Sequence, residues 1–189
     1  MRIISGKYKG RRISPPKNLP VRPTTDMSKE SLFNILNNRF DFDGLKVLDL
    51  FAGTGNLSYE FGSRGEGNIT CVDEDPGCIK FIKQTAAELD LNIAAMRINV
   101  YTFLEKADSQ FDVIVADPPY HFEQQKLERL VTLVFEKNLL AQDGLFVIEH
   151  SRHTKLAQME HFSFQKNYGG SVFSFFEFET ADGENEDED

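Results

Sequence analysis

The sequence contains no long apolar run. None of its hydrophobic segments approaches the roughly 20 residues that are needed to cross a bilayer. The N-terminal segment MRIISGKYKGRR also lacks the apolar core of a signal peptide. A membrane-spanning or secreted protein would need one of these features, so we expect a cytoplasmic protein with no membrane partner.

Patterns of metal ligands are also missing. Cys71 and Cys78 do not have the spacing of a zinc site, and we expect them to be reduced thiols in the core. The four histidines show no spacing that demands a metal, and we interpret them as surface or loop residues. They are His121, His150, His153 and His161. The sequence therefore predicts a protein without a metal site.

Charge is unevenly distributed along the chain of 189 residues, which has room for one domain and an appendage. The net charge of −9 argues against a nucleic-acid partner. However, residues 179–189 hold seven acids and no base, which leaves 21 basic residues against 23 acids, or −2, in residues 1–178. We expect 180–189 to form a disordered acidic tail.

The N-terminal segment has the opposite charge. Residues 1–30 contain eight basic and two acidic side chains, a local charge of +6. Because salt confines each charged patch to a range of about 8–10 Å, a basic arm can attract phosphates on an acidic protein. An ordinary solvated hairpin remains the alternative. The candidate nucleic-acid-binding residues are Arg2, Lys7, Lys9, Arg11 and Arg12.

Apolar strands alternate with helical patterns from residue 45 onward, and such alternation builds a parallel α/β sheet. The predicted strands are 45–50, 69–73, 95–98, 112–116 and 144–149. The predicted helices are 27–39, 56–64, 76–90 and 123–139, the first capped by Thr25 or Asp26.

The C-terminal segment FSFQKNYGGSVFSFFEFE breaks this alternation. It has two strand-like runs joined by NYGG with no helix between them, which predicts a closing antiparallel hairpin. Its alternating phenylalanines are typical of a packed strand, so we expect core residues in preference to a base-stacking platform. They are Phe173, Phe175, Phe176 and Phe178.

The segment VLDLFAGTGNL is a strand, a glycine turn and the start of a helix. Gly53 and Gly55 allow the backbone to approach a ligand closely. The third glycine of a dinucleotide fingerprint is missing, because Ser58 occupies that position. A G-K-[ST] ending is absent too, which excludes a P-loop. A ligand without a pyrophosphate is therefore favoured.

Two acids support this interpretation. Asp49 before the turn would repel a phosphate but would suit an ammonium or sulfonium group. Asp73 follows Gly55 by 18 residues, close to the spacing at which an acid accepts ribose hydroxyls. S-adenosylmethionine (SAM) meets all of these demands. The alternative is structural, with Asp49 capping the next helix.

The segment DVIVADPPY is a buried strand that ends at Asp117 in a proline-stiffened loop. Such a loop lies at the carboxyl edge of the sheet, where ligands bind in open α/β folds. Asp117 and the carbonyl of Pro118 can accept the two N–H bonds of an amine and hold it for reaction. A turn with a helix-capping Asp is the alternative.

Seven segments carry a family resemblance. DLFAGTG, VDEDP and DPPY resemble the class I methyltransferase core, and RIISGKYKGR, RPTTDMSKESLFNIL, SRG and YGGSVFSFFEF are similar to the RsmD family of 16S rRNA guanine-N2 methyltransferases. The resemblance covers nearly all of the chain except the acidic tail. DPPY occurs in enzymes that methylate adenine, cytosine or guanine amines. Asn56 and Tyr59 stand where the family more often has small residues.

The resemblance implies a Rossmann-like α/β fold with a seven-stranded, mostly parallel sheet and an antiparallel last strand. It also implies a SAM-dependent enzyme, which we expect to be monomeric, that methylates the N2 amine of a guanine in 16S rRNA, either free or in a partly assembled subunit. The expected domains are a basic hairpin and helix (1–40), the methyltransferase domain (41–179) and the tail (180–189).

The expected site has two parts. The catalytic candidates are Asp117, Pro118, Pro119 and Tyr120, whose ring would stack on the base. The cofactor-binding candidates are Asp49, Phe51, Gly53, Gly55, Asp73, Asn99, Arg22 and Thr24. Asn99 would contact the adenine edge, with a plain turn residue as the alternative. The resemblance implies cofactor-side contacts for the loop that holds Arg22 and Thr24, where Thr25 can equally be a helix cap.

Other functions remain as alternatives. A DNA adenine-N6 methyltransferase shares the DPPY loop, but the chain has no separate target-recognition domain. A non-catalytic SAM- or RNA-binding module would have no need for Asp117. An NAD-dependent oxidoreductase ranks last because the third glycine is missing.

Overall fold

The structure is a computed structural model in which residues 1–17, 19, 25–119, 121–168 and 170–179 are described. The expectations for Arg22, Thr24, Tyr120 and the tail 180–189 lie outside these residues. Within these ranges, no helix combines the length and the apolar character that a membrane crossing requires.

The described residues form a seven-stranded sheet with five helices. The elements are α1 (Asp26–Asn37), β1 (Lys46–Leu50), α2 (Asn56–Arg64), β2 (Asn68–Asp73), α3 (Pro76–Glu88), β3 (Ile93–Arg97), α4 (Val100–Lys106), β4 (Phe111–Ala116), α5 (Gln124–Glu136), β5 (Leu140–Ser151), β6 (Phe162–Tyr168) and β7 (Ser171–Phe176). The strand order is β3-β2-β1-β4-β5-β7-β6. Strands β1 to β5 pair in parallel, whereas β7 runs antiparallel to β5 and β6. The predicted α/β class, the sheet and the C-terminal hairpin are confirmed.

The predicted elements between residues 26 and 149 are all present, with shifted ends. Thr25 is the N-cap of α1, since its hydroxyl accepts the Ser28 N–H at 3.1 Å. Two features were missed. Helix α4 is too short for its apolar spacing to stand out, and β5 begins at Leu140, four residues before the predicted start, because β4 pairs with it there.

Both faces of the sheet are buried. Helices α4 and α5 cover one face, and α1, α2 and α3 cover the other. Phe173, Phe175 and Phe176 are core residues, as predicted, and Phe178 is partly buried against the α4–α5 side. Cys71 and Cys78 are buried free thiols, which confirms that prediction.

The N-terminal arm, residues 1–13, is fastened to the domain. Ile3 and Ile13 are buried with Tyr59 and Leu89. The two ends of the arm are joined by an antiparallel bridge between Arg2 and Arg12. Further contacts come from the backbone, where the Lys7 N–H donates to the Ser63 carbonyl at 2.6 Å and the Tyr8 N–H to the Ser63 hydroxyl at 2.9 Å. The arm is thus a packed hairpin-like loop.

One sequence-based interpretation is wrong, and one basic residue of the N-terminal segment is not exposed. His150 is buried in β5, whereas we expected a surface or loop residue. Lys29 was counted in the basic charge of the N-terminal segment, but its side chain is fully buried and paired with Glu60 at 3.2 Å. In both cases the residue type favours exposure, and only the packing of neighbouring elements overrides that preference.

Candidate functional site

A cavity of about 410 Å³ lies at the carboxyl edge of the sheet. It is lined by the β1–α2 turn (51–54 and 56), the end of β2 with the start of α3 (73–75 and 78), the loop after β4 (117–119) and the end of β5 (149–151). β1 has β2 on one side and β4 on the other, so the connections leave it in opposite directions. Such a switch point is where open α/β sheets bind ligands.

The β1–α2 turn approaches the cavity with its backbone. Gly55 precedes α2 in a left-handed conformation with φ of 81°, which disfavours a side chain. A Cβ atom on Gly55 would also lie 2.8 Å from the Tyr59 ring. Tyr59 is fully buried beneath the turn, so its bulk fixes the requirement for glycine. Phe51, with φ of 61°, is a positive-φ residue at the start of the turn and lines the cavity.

Asp73 shapes this turn and faces the cavity. Its Oδ2 accepts the Gly53 N–H at 2.8 Å, and its Oδ1 accepts the Asp75 N–H at 2.8 Å. A carboxylate oxygen has two lone pairs, so each oxygen keeps capacity for one more donor. Asp73 is therefore placed to hold a hydroxylated ligand against the glycine turn.

Asp49 lies beneath the cavity lining and is almost completely buried. Its Oδ2 accepts the Ser58 hydroxyl at 2.6 Å, a contact with the first turn of α2 that a structural role would also produce. Burial raises the pKa of Asp49 to about 7; the nearby Asp73 adds to the rise, and the Ser58 hydrogen bond opposes it. A cation bound nearby would favour the charged form.

The loop after β4 forms the next wall. Asp117, Pro118 and Pro119 line the cavity, and the Asp117 N–H lies 3.4 Å from the Leu50 carbonyl of β1. The Pro119 carbonyl accepts the Phe122 N–H at 2.8 Å, which closes a turn. Phe122 meets Phe51 edge to face, with ring centroids 5.2 Å apart. The loop is thus braced by two prolines, a turn and an aromatic contact.

The end of β5 forms the wall beside this loop, where Glu149, His150 and Ser151 line the cavity. His150 Nδ1 lies 2.8 Å from the Ser151 carbonyl and Nε2 lies 2.7 Å from the Ser174 hydroxyl. Burial lowers the pKa of His150, so we expect a neutral ring that donates from Nδ1 and accepts at Nε2. This wall was not predicted from the sequence. The signal was present in LFVIEH, where an apolar strand ends in two polar residues.

Asn99 is the sequence candidate that remains. The Asn99 side chain caps α4, since its Oδ1 accepts the Tyr101 N–H at 3.0 Å and the Thr102 N–H at 3.2 Å. Asn99 does not line the cavity, although the next residue, Val100, does. Its contact with an adenine therefore stays a prediction.

The cavity is strongly acidic. Five of its lining residues are acids and, within the described ranges, none is Lys or Arg. The acids are Asp73, Glu74, Asp75, Asp117 and Glu149. Such a lining repels phosphate and attracts a ligand with a positive centre. These carboxylates fit S-adenosylmethionine, which carries a sulfonium, an ammonium and the hydroxyl donors of a ribose.

Comparisons with known proteins agree with this geometry. The family model described as "Conserved hypothetical protein 95" matches residues 1–177. The chain is 40% identical over 163 residues to the Bacillus subtilis protein named "Putative rRNA methyltransferase YlbH", covering 84% of this chain and 86% of that protein. It is 34% identical over 150 residues to "Ribosomal RNA small subunit methyltransferase D" of Buchnera aphidicola, covering 79% of this chain and 75% of that protein.

A solved structure has the same fold. The Escherichia coli structure titled "Putative methyltransferase yhhF" superposes with a TM-score of 0.82 at 28% identity, covering 93% of this chain and 96% of that one. The class I methyltransferase fold implied by DLFAGTG, VDEDP and DPPY is therefore confirmed. Together, the family model and the relatives show that the chain belongs to the Conserved hypothetical protein 95 family, the family of the RsmD methyltransferases.

Proposed function

We propose that the protein transfers the methyl group of S-adenosylmethionine to the N2 amine of a guanine in small-subunit (16S) ribosomal RNA. One observation carries the proposal: the glycine turn with Asp73 and the Asp117–Pro118–Pro119 loop face the same cavity. The names of the relatives support an rRNA substrate. The proposed substrate also places the protein in the cytoplasm, where we expect a monomer.

Cofactor and target would occupy different walls. Asp73 and the Gly53–Gly55 turn would hold the ribose end of S-adenosylmethionine, which supplies an electrophilic methyl group on its sulfonium. The fit rests on the free lone pairs of Asp73 and on the acidic lining. The target base must leave its stack before its amine can reach the cavity.

Asp117 and Pro118 would position the nucleophile. The guanine amine is a poor nucleophile because its lone pair is delocalised into the ring. A carboxylate and a carbonyl that accept its two N–H bonds favour a more pyramidal nitrogen whose lone pair can point at the methyl group. Positioning of this kind can supply about 7–11 kcal/mol at its upper range. The amine then loses a proton, for which Asp117 is the nearest proposed acceptor or a relay to water.

The direct test is methyl transfer. Small-subunit RNA from cells that lack the gene is incubated, free or as a partly assembled subunit, with the protein and methyl-labelled S-adenosylmethionine. We expect the label in N2-methylguanosine at one position. A parallel reaction contains duplex DNA in place of the RNA, and label in its adenine would instead favour the DNA adenine-N6 alternative. Binding of S-adenosylmethionine without transfer to RNA or DNA would favour a non-catalytic module.

Cofactor binding should depend on the protonation of Asp49. Because the pKa of Asp49 is raised to about 7, a positive ligand nearby must displace its proton at lower pH. We expect the affinity for S-adenosylmethionine to rise from about pH 6 to about pH 8 and then level off. Calorimetry in buffers of different ionisation enthalpy should detect the released proton. Asp49→Asn should abolish both effects, and an unchanged pH profile in that variant would remove Asp49 from the cofactor site.

The arm is proposed to hold RNA phosphates. Lys7, Lys9, Arg11 and Arg12 are exposed, whereas Lys29 is buried and Arg2 pairs with Asp26 at 3.2 Å. These exposed cations thus lie on a loop whose backbone is fixed by its contacts with α2.

We expect the four-fold change of Lys7, Lys9, Arg11 and Arg12 to Ala to weaken RNA binding. If each cation neutralises one phosphate, the slope of log affinity against log salt should fall by roughly 3–4 units. Cofactor affinity should not change. The control for net charge changes four exposed lysines outside the arm to Ala. They are Lys106, Lys137, Lys155 and Lys166. Equal slopes for the wild type and the arm variant would leave the arm with a structural role alone.

A further inference from the structure

Glu149 is a cavity residue whose carboxylate has no polar partner among the described residues. It lines the cavity and is half-buried, yet it makes no side-chain hydrogen bond or ion pair with any described residue. A carboxylate accepts hydrogen bonds at both oxygens and is costly to bury without them. Such a group in a ligand cavity is placed to meet a donor that the ligand brings.

The sheet register places Glu149 beside the proposed amine site. Val115 pairs with Val147 and Ala116 with Ile148, so Asp117 and Glu149 are the next residues of two neighbouring parallel strands. Val115 and Val147 belong to the same core cluster, and Phe173, the β7 partner of Glu149, belongs to it too. Because side chains alternate along a strand, Glu149 continues that face at the point where the apolar core ends and the cavity begins.

The chemistry of guanine supplies a matching donor. Its ring N1–H lies next to the N2 amine, so guanine presents adjacent donors along one edge. Adenine has an unprotonated N1 beside its amine, and that lone pair would face the carboxylate. A site built to accept a hydrogen bond rejects an analogue that lacks the donor, because a buried polar group is then left unpaired.

We propose that Glu149 is a specificity-determining residue that accepts the N1–H of the target guanine while Asp117 and the Pro118 carbonyl hold its N2 amine. The proposal rests on the proposed function and names what selects guanine within it. Asp117 and Pro118 recognise an amine of any base, whereas Glu149 recognises the protonated ring nitrogen beside it.

The test uses 2-aminopurine, which keeps the N2 amine of guanine but has an unprotonated N1. Small-subunit RNA is made by ligation with either guanine or 2-aminopurine at the mapped position, and methyl transfer to each is measured as kcat/KM. The wild type should prefer guanine. In Glu149→Gln the amide can donate to the unprotonated N1, so the guanine preference should narrow by about ten- to a hundredfold, the weight of one hydrogen bond to a charged group.

Two further variants are controls for Glu149→Gln. Glu149→Ala removes the acceptor without adding a donor, so it should narrow the preference less than Glu149→Gln does. Glu136→Gln makes the same chemical change at an exposed position of α5, outside the cavity, and should keep the wild-type preference. Cofactor calorimetry and a melting curve show that each variant is folded.

The outcomes separate the two proposals. If the wild type transfers no methyl group to guanine N2, the proposed function fails. If it does so and Glu149→Gln has the same guanine to 2-aminopurine ratio as the wild type, the inference about Glu149 is overturned and the proposed function stands.

Discussion

Asp117→Ala should reduce methyl transfer by at least about 10²–10³-fold in kcat, the loss typical when one preorganised polar contact to a reacting centre is removed. Asp117 lines the cavity at the end of β4, where the proline-braced loop holds it. Without its carboxylate the amine keeps one acceptor, the Pro118 carbonyl, and neither its orientation nor its proton loss is controlled.

The effect should fall on the chemical step. Asp73 ends β2, on the other side of β1 from Asp117, and the glycine turn follows β1 itself. The affinity for S-adenosylmethionine should therefore change little, as calorimetry can show. Single-turnover transfer to small-subunit RNA measures the loss. Tyr120→Ala, which the sequence predicts to remove base stacking, should lose less, about 1–3 kcal/mol.

Asp143→Ala is the matched control, because this exposed acid of β5 lies outside the cavity. It should transfer methyl groups at the wild-type rate. Full turnover by Asp117→Ala would contradict the amine-positioning mechanism, whereas a parallel loss of cofactor affinity would assign Asp117 to the cofactor site instead.

Glu60→Ala should lower the free energy of unfolding by about 3–5 kcal/mol, because it leaves a buried cation without its partner. Glu60 and Lys29 are both fully buried, and the Lys29 ammonium lies 3.2 Å from the carboxylate. The Glu60 carboxylate also accepts the N–H groups of Ile4 at 2.8 Å and Ser5 at 3.0 Å. One side chain of α2 therefore joins α1 and the arm.

Burial lowers the pKa of Lys29, and the Glu60 carboxylate opposes this change. Removing the carboxylate would lower that pKa further and leave the two N–H groups of the arm unsatisfied. Lys29 also donates to Asn56, a cavity residue, at 2.9 Å. The loss of stability should therefore extend to the β1–α2 turn.

Thermal and urea unfolding measure the effect, which for a chain of this size corresponds to a melting temperature about 6–20 °C lower. Glu105→Ala is the control: it breaks an exposed ion pair with Arg129 of the same charge type and should cost at most about 1 kcal/mol. The double change Lys29→Met with Glu60→Leu should cost less than Glu60→Ala, because the fully buried Lys29 ammonium is removed together with its partner. Equal costs for Glu60→Ala and Glu105→Ala would contradict the buried network.

The order and type of most elements, and the two loops of the site, follow from local sequence patterns. Strands such as LKVLDL and DVIVA are apolar without alternation because both faces of the sheet are covered, so their character is local information. The glycines of AGTG and the prolines of DPPY act on the backbone itself, and the position of each loop after a parallel strand determines the edge where it lies.

Which polar residues are buried, and which of them meet in the cavity, depends on how the elements pack against one another. Lys29 and Glu60 come from helices far apart in sequence, so their pairing depends on how α1 and α2 pack. His150 and Glu149 are neighbours at the end of one strand, but they lie on opposite faces, and the register with β4 and β7 decides that Glu149 stands beside Asp117 while His150 meets Ser174. Register and helix packing join residues that no local pattern connects, because burial free energy is summed over contacts between distant segments.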